Sequence, residues 1–247
     1  MDVVPQYLKE VFVLKIRIKF AKRGPMKFIS HLDVMRYFQK LNKRAGIDIS
    51  YSEGFNPHQI MSFAAPLGVG LTSEGEYLDI DVKTTLSSAD AIKALNSVSV
   101  ENIPILSYRL LPENATKAMT LVAAADYFIK IKPGYLEDVD FDALIADFIS
   151  KESVIITKET KKSTKEMDIR PLVYDFHKEN EGYFIKLASG SVDNLKPELV
   201  FKTLCEMSGK EMPEYALDIT RLELYGYADE NGKQVLKSLE SFGDYIV

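Results

Sequence analysis

Seven cations in the first fifty residues have a spacing suited to binding phosphates. Three alternate with apolar residues at period two, as on one face of a strand, and four recur at helical spacing. They are Lys15, Arg17 and Lys19 on the strand and Arg36, Lys40, Lys43 and Arg44 on the helix. Lys and Arg neutralise nucleic-acid phosphates, so both rows are candidates for holding RNA. The alternative for each row is an ordinary solvated face.

A turn-rich aromatic loop follows at residues 51–58, with the sequence Tyr-Ser-Glu-Gly-Phe-Asn-Pro-His. Gly54 permits a positive φ, and the neighbouring asparagine and proline favour a tight turn. Four of its residues offer ring faces or hydrogen-bonding groups of the kind that hold single-stranded bases. They are Tyr51, Phe55, Asn56 and His58. The competing interpretation is a loop that packs Phe55 into the core.

His31 is the one candidate for catalysis. It follows a predicted helix cap and could act as a general base toward a ribose 2′-OH, with Lys27 or Arg36 stabilising the transition state. No fixed spacing ties these residues together. A capping or packing histidine is the alternative.

Metal and thiol chemistry have no support in the sequence. His31, His58 and His177 are scattered and do not have the spacing of zinc ligands. The single cysteine, Cys205, excludes an intrachain disulfide or a cysteine cluster, and it lies near the apolar stripe of a predicted helix. The sequence therefore predicts no metal and no cofactor.

Charge is distributed unevenly along the 247 residues. The first fifty contain eleven Lys and Arg against four Asp and Glu, whereas the remainder contains twenty against thirty-two. Such a basic segment predicts a localised anionic partner despite the net charge of −5. No apolar run approaches the ~20 residues of a membrane helix and no signal-peptide pattern is present, so we expect a cytoplasmic protein without membrane association.

The elements that position the candidate residues follow the order strand, helix, strands, helix, strand. Alternation predicts the first strand, and a helix begins at the capping residue Ser30 and ends at Gly46. The predicted strands cover residues 13–20, 47–52, 60–64, 76–82 and 103–110, and a second helix covers 88–97. This is the split βαβ order of a ferredoxin-like domain. Because helices cover one face of such a sheet, we expect the strand cations on the uncovered face.

A second unit of similar order follows a linker at residues 112–118. Its predicted strands cover 126–132, 154–158, 169–177, 183–188 and 217–226, and its helices cover 141–150 and a segment from Pro197 onward. The sequence therefore predicts an α+β protein with two tandem ferredoxin-like (split βαβ) domains, residues 1–112 and 119–247. Asp168 and Arg170 share one face of a predicted strand, which a local ion pair explains as well as a bound ligand does. The segment after Gly232 is expected to form a short helix or strand.

A dense set of motifs marks the first half of the chain. They are Phe28-Ile-Ser-His-Leu-Asp33, Arg36, Arg44-Ala-Gly46, the 51–58 loop, Ser62-Phe63-Ala64, Pro66-Leu67-Gly68, Glu74 and Glu76-Tyr77-Leu78. This set closely resembles the radical-SAM-linked proteins, a bacterial family described as a domain of unknown function. The resemblance is dense over residues 11–82 and thins to Asp168-Ile-Arg-Pro171 in the second half. It implies a radical SAM enzyme as partner, and this chain lacks the three-cysteine motif of that catalyst.

A weaker likeness, of architecture only, connects the chain to the CRISPR repeat-processing endoribonucleases. Those nucleases also pair two ferredoxin-like domains behind a basic first strand. Their glycine-rich loop would fall at residues 222–232, where only Gly226 and Gly232 stand. That departure counts against a nuclease of this type.

The sequence thus predicts a non-catalytic RNA-binding or substrate-presenting accessory protein for a radical SAM enzyme acting on tRNA or rRNA. Two alternatives stay open. One is a metal-independent endoribonuclease that uses His31. The other is a protein–protein adaptor whose 51–58 loop docks on the radical SAM enzyme without RNA contact.

Overall fold

The computed structural model describes residues 13–160 and 163–247, so the start of the predicted first domain, residues 1–12, lies outside the described residues. The first half contains four strands and two long helices. They are β1 (Leu14–Lys22), α1 (His31–Arg44), β2 (Met61–Phe63), β3 (Thr72–Val82), α2 (Ser88–Val98) and β4 (Ile105–Leu110). The strands pair antiparallel in the order β4-β1-β3-β2, which is the arrangement of a split βαβ unit.

Helix α1 forms where local signals predict it. The Ser30 hydroxyl accepts a hydrogen bond from the Asp33 N–H at 3.2 Å and caps the first turn. Val34, Phe38 and Leu41 bury one face of the helix in the core of the first unit. Gly46 follows the end of the helix with φ +71°, a left-handed conformation that suits glycine.

The second half repeats the order with an added hairpin. Its elements are α3 (Ala118–Leu121), β5 (Val122–Ile131), α4 (Phe141–Ser150), β6 (Ile155–Thr160), β7 (Ser163–Asp168), β8 (Val173–Glu179), β9 (Gly182–Ala188), α5 (Pro197–Met207) and β10 (Leu217–Glu230). Strands β10-β5-β9-β8 pair antiparallel, again in split βαβ order. Strands β6 and β7 form a separate two-stranded sheet.

Two predicted strands differ most from the structure. In place of a strand over residues 47–52, the structure has isolated bridges, from Ile49 to Val82 and from Tyr51 to Gln59. The predicted strand over 169–177 starts only at Val173, because a 3-10 turn at Arg170–Leu172 precedes it. Proline at position 171 lacks an N–H to donate to a ladder, which favours the turn there.

The two units share one ten-stranded sheet, because β10 pairs in parallel with β3 at Thr220↔Thr72 and Arg221↔Ser73. Gly75 permits this approach, since a Cβ on it would lie 2.5 Å from the Leu222 carbonyl oxygen. Each unit has a cluster of buried apolar residues, and Ala64 and Tyr77 of the first unit belong to the cluster of the second. The predicted α+β class is confirmed.

The last residues cross the sheet of the first unit on the side opposite α1. Strand β11 (Lys233–Ser238) pairs with β10, a 3-10 turn follows at Leu239–Phe242, and β12 (Asp244–Tyr245) pairs with β4. We call residues 239–245 the crossing segment. Within the described residues, no helix combines the length and apolarity needed to cross a membrane.

Candidate nucleic-acid interface

The basic row on β1 is covered, and the expectation that Lys15, Arg17 and Lys19 line an open sheet face is wrong. Arg17 is only 1% exposed. Its guanidinium binds the Asp79 carboxylate through two hydrogen bonds of 2.7 and 2.9 Å. A third bond, of 3.0 Å, reaches the Leu239 carbonyl of the crossing segment. Arg17 is therefore an internal ion-pair partner in this structure.

The neighbouring lysines on β1 are also engaged. The Lys19 ammonium lies 2.6 Å from one Glu223 carboxylate oxygen and 3.6 Å from Glu240 on the crossing segment. The Lys15 ammonium donates to the Glu113 carbonyl in the connection after β4. The row fails as a surface because β3, the connection after β4, the second unit and the crossing segment supply partners that a local pattern does not reveal.

The basic row on α1 is open to solvent. Its four members are all exposed, namely Arg36, Lys40, Lys43 and Arg44. Arg36 lies 3.3 Å from Asp33 in an exposed pair, which is a weak interaction in water. In the described part of the chain, no ion pair involves the other three cations. With a rise of 1.5 Å per residue, the row extends for about 12 Å along the helix.

The 51–58 loop is closed by its own hydrogen bonds. The Ser52 N–H donates to the His58 carbonyl at 2.8 Å, and the His58 N–H donates to the Ser52 hydroxyl at 3.1 Å. Gly54 takes φ +107° at the turn. Phe55 is fully exposed, so the interpretation that it packs into the core is wrong. The other predicted contact residues, Tyr51, Asn56 and His58, are exposed as well.

A buried amide fastens the loop to α1. Gln59 is almost fully buried and donates its amide to the Gln39 carbonyl in the middle of the helix at 2.9 Å. Its side-chain oxygen accepts a bond of 3.2 Å from the buried Asn42 amide. The loop is therefore anchored to the helix that carries the four cations. Sequence reasoning missed this pair, although an asparagine on the core side of an amphipathic helix is a usable signal.

We call this surface, made of the four α1 cations and the 51–58 loop, the helix–loop surface. It falls inside a longer segment, residues 15–197, that matches the model of a family described as "Uncharacterized protein conserved in bacteria (DUF2344)". The chain belongs to this family. No curated protein matches it. The DUF2344 match therefore covers the first unit from β1 onward and most of the second.

His31 is positioned as a packing residue in this DUF2344 member. Its ring meets the Phe63 ring edge to face, with centroids 5.0 Å apart. Of the two cations considered as catalytic helpers, Lys27 lies 3.4 Å from Asp218, whereas Arg36 has only a weak, exposed pair with Asp33. The His31 ring thus has an aromatic packing partner, in line with the alternative interpretation.

Metal ligands and a reactive thiol were not expected. Among the described residues, no three His, Cys, Asp or Glu side chains are placed to hold a metal ion. Cys205 is buried in α5, and this burial raises the pKa of its thiol.

The local ion pair considered for Asp168 and Arg170 does not form. The Asp168 carboxylate instead accepts backbone N–H bonds from Val154 at 2.9 Å and Arg170 at 3.0 Å, and these lower its pKa. The Arg170 guanidinium donates to the carbonyls of Ile149 and Val173. Both residues thus hold the hairpin and the 3-10 turn in place.

The sequence did not predict a buried ion pair that lies at the junction of the units. Arg221 of β10 holds Glu76 of β3 with bonds of 2.6 to 2.9 Å, and both side chains are buried. Lys22 lies nearby, and its burial lowers its pKa against the opposing effect of Glu76. The cluster fixes the two units against each other.

Proposed function

We propose that the chain is a non-catalytic RNA-binding accessory protein that presents RNA to a radical SAM enzyme acting on tRNA or rRNA. The observation that carries the RNA part is the helix–loop surface, where a fully exposed phenylalanine projects from a loop anchored to the helix that carries four exposed cations. Phosphates would lie along α1, and a base would stack on Phe55. The radical SAM partner rests on the resemblance to the radical-SAM-linked proteins.

A single-stranded RNA tests this surface through its salt dependence. Each phosphate neutralised on a single strand contributes about 0.7 to the fall of log K with log salt, so four α1 cations predict a slope of about −3. Fluorescence anisotropy of a labelled ten-nucleotide RNA between 50 and 200 mM salt measures it, and ~1.4 of that slope should vanish in Arg36→Glu/Lys40→Glu.

The matched control reverses two cations of the second unit, Lys151→Glu/Lys178→Glu, and should leave both affinity and slope unchanged. Equal RNA binding by both double variants would mean that the helix–loop surface does not hold RNA. Failure of the unmodified protein to bind RNA at 50 mM salt would end the RNA proposal itself.

The second candidate function is an adaptor whose 51–58 loop docks on the enzyme protein. The specific observation in its favour is that Phe55 projects without packing neighbours from a loop closed by hydrogen bonds, as an anchor residue of a protein interface does. Co-purification of a radical SAM enzyme that survives ribonuclease but is lost in Phe55→Ala supports the adaptor. Loss on ribonuclease treatment alone supports the RNA-binding function.

A further inference from the structure

A cleft of about 790 Å³ opens where the two units meet. This volume is in the range of sites that hold a small ligand. Its apolar lining comes from both units, with Phe28 and Leu71 from the first and Met212, Tyr215, Leu217 and Ile219 from the second. A ligand in the cleft would contact both units at once.

Tyr215 lines this cleft and has an unfavourable backbone conformation. The Ala216 N–H bonds to the Pro213 carbonyl at 3.3 Å, which places Tyr215 third in a turn. Its φ is +63°, a value that glycine or asparagine normally supplies at this position. A bulky side chain there is an outlier of the kind found at ligand sites. The ring is nonetheless 73% exposed, so burial of the ring does not explain it.

Hydrogen bonds from Lys132 fix the backbone at Tyr215. The Lys132 ammonium donates to the Tyr215 carbonyl at 2.7 Å, and the Lys132 N–H donates to the Ala216 carbonyl at 2.9 Å. The exposed ring therefore stands on a fixed backbone, which reduces the entropy lost when a ligand stacks on it.

A second exposed ring lines the cleft from the other unit. Phe28 ends a 3-10 turn over Gly24–Phe28 and is 66% exposed. A hydrogen bond of 2.8 Å from the Gly70 N–H to the Lys27 carbonyl fixes its neighbourhood. The Lys27 ammonium lies 5.5 Å from the centre of this ring. Each unit thus contributes one aromatic face to the same space.

The charges around the cleft are balanced. Three ammonium groups and three carboxylates line it, namely Lys27, Lys132, Lys202, Glu198, Glu211 and Glu214. A bare phosphate would gain little net attraction there, whereas a neutral planar ring between aromatic and apolar walls would stack and hydrogen-bond. The phosphates belonging to such a ring would need a separate cationic surface.

That surface begins a few residues away. Phe28 precedes the first residue of α1 by three positions, so their Cα atoms are at most about 11 Å apart. Along α1 the exposed Leu32 is followed by Arg36 and Lys40 at four-residue spacing, about 6 Å per step. The mouth of the cleft and the α1 cations can therefore share one extended ligand.

We propose that the cleft between the units binds one nucleobase of the RNA whose phosphates lie on α1, with the base stacked on Phe28 and Tyr215. This inference rests on the proposed RNA-binding function. The ligand class is a neutral, planar heteroaromatic ring that belongs to a single-stranded nucleotide. The aromatic side chain of a partner protein is the rival occupant, which the test separates.

The test uses two probes with the full-length protein: the nucleoside adenosine, followed by NMR titration, and an eight-nucleotide RNA carrying one 2-aminopurine, followed by fluorescence. Tyr215→Gly and Phe28→Ala should each weaken both probes about tenfold, because stacking of one base on an aromatic ring is worth on the order of a factor of ten. Tyr215→Gly should melt no lower than the unmodified protein, since glycine accepts the positive φ. Tyr227→Ala, which removes a half-exposed ring elsewhere on the second unit, should change neither probe.

The outcomes separate the two proposals. RNA binding that is lost in Arg36→Glu/Lys40→Glu but unchanged in Tyr215→Gly and Phe28→Ala overturns the cleft and leaves the helix–loop surface standing. The unmodified protein could bind adenosine but no RNA. If the cleft variants then lose adenosine binding, the cleft is supported as a nucleobase site and the RNA-binding function is overturned. Saturation of the cleft by N-acetyl-tryptophanamide but not by adenosine overturns the nucleobase in favour of a protein side chain.

Discussion

The Arg221–Glu76 pair should dominate the stability of the junction between the units. Arg221 is 3% exposed and Glu76 5%, and the guanidinium also donates to the Ala65 carbonyl at 2.7 Å. Removing one partner of a buried ion pair leaves an uncompensated charge and costs about 3–5 kcal/mol. For a protein of this length, that corresponds to a fall of roughly 6–20 °C in Tm.

The two single substitutions should not be equal, because Lys22 is buried beside the pair. Glu76→Gln leaves two buried cations, Arg221 and Lys22, without their carboxylate, so it should lower the free energy of unfolding by ~5 kcal/mol. Arg221→Met leaves Glu76 with Lys22 as a partial substitute, and should cost nearer ~3 kcal/mol. The double variant Glu76→Gln/Arg221→Met should recover part of the larger loss.

Urea unfolding followed by circular dichroism and tyrosine fluorescence measures these free energies, and coincident transitions establish that they are comparable. Lys178→Met, which breaks an exposed pair with Asp142, is the control and should have no measurable effect. Single losses below ~1 kcal/mol, or a larger loss for Arg221→Met than for Glu76→Gln, would refute the reasoning.

Three further predictions concern single titratable groups. Burial lowers the pKa of Lys22, so the unfolded chain binds more protons than the folded one between that lowered pKa and 10.5. The free energy of unfolding should therefore rise with pH across this window, and the urea midpoints of Lys22→Met should not show that rise. Backbone N–H bonds lower the pKa of Asp168, so the ionised carboxylate stabilises the folded protein above its ordinary pKa, and this contribution is lost as pH falls. The difference in Tm between the unmodified protein and Asp168→Asn should therefore disappear on acidification. The pKa of the Cys205 thiol is raised by burial, so a thiol reagent at pH 8 should label it only after urea is added, and rapid labelling of the folded protein would contradict its placement.

Local signals predicted the elements that local interactions determine. Helix α1 has a capping serine, an acidic third residue, a single apolar stripe and a glycine after its end, and it forms with those bounds. The helix over residues 141–150 also forms as predicted. Alternation likewise located β1 and β3 to within a few residues.

Features that depend on distant partners were not predictable in this way. The alternation of Arg17 and Lys19 places both residues on one face of β1, as observed, yet the carboxylates that meet them come from 62 and 204 residues further along the chain. The left-handed conformation of Tyr215 opposes the local preference of tyrosine, so a turn with that residue in third position was not foreseen.

The same distant pairing changes the meaning of the basic first fifty residues. Several of their cations bind carboxylates from later in the chain, in the pairs Arg17–Asp79, Lys19–Glu223, Arg23–Glu74 and Lys27–Asp218. Among the described residues, the charge asymmetry along the sequence is therefore partly cancelled in space, and the four cations of the α1 row stay open to a ligand. This gives the salt slope a diagnostic use, because four cations predict about −3 whereas all seven cations of the two rows would predict about −5. A slope near −5 would mean that RNA draws the β1 cations away from their partners within the protein, which requires the crossing segment to lift from Arg17 and Lys19.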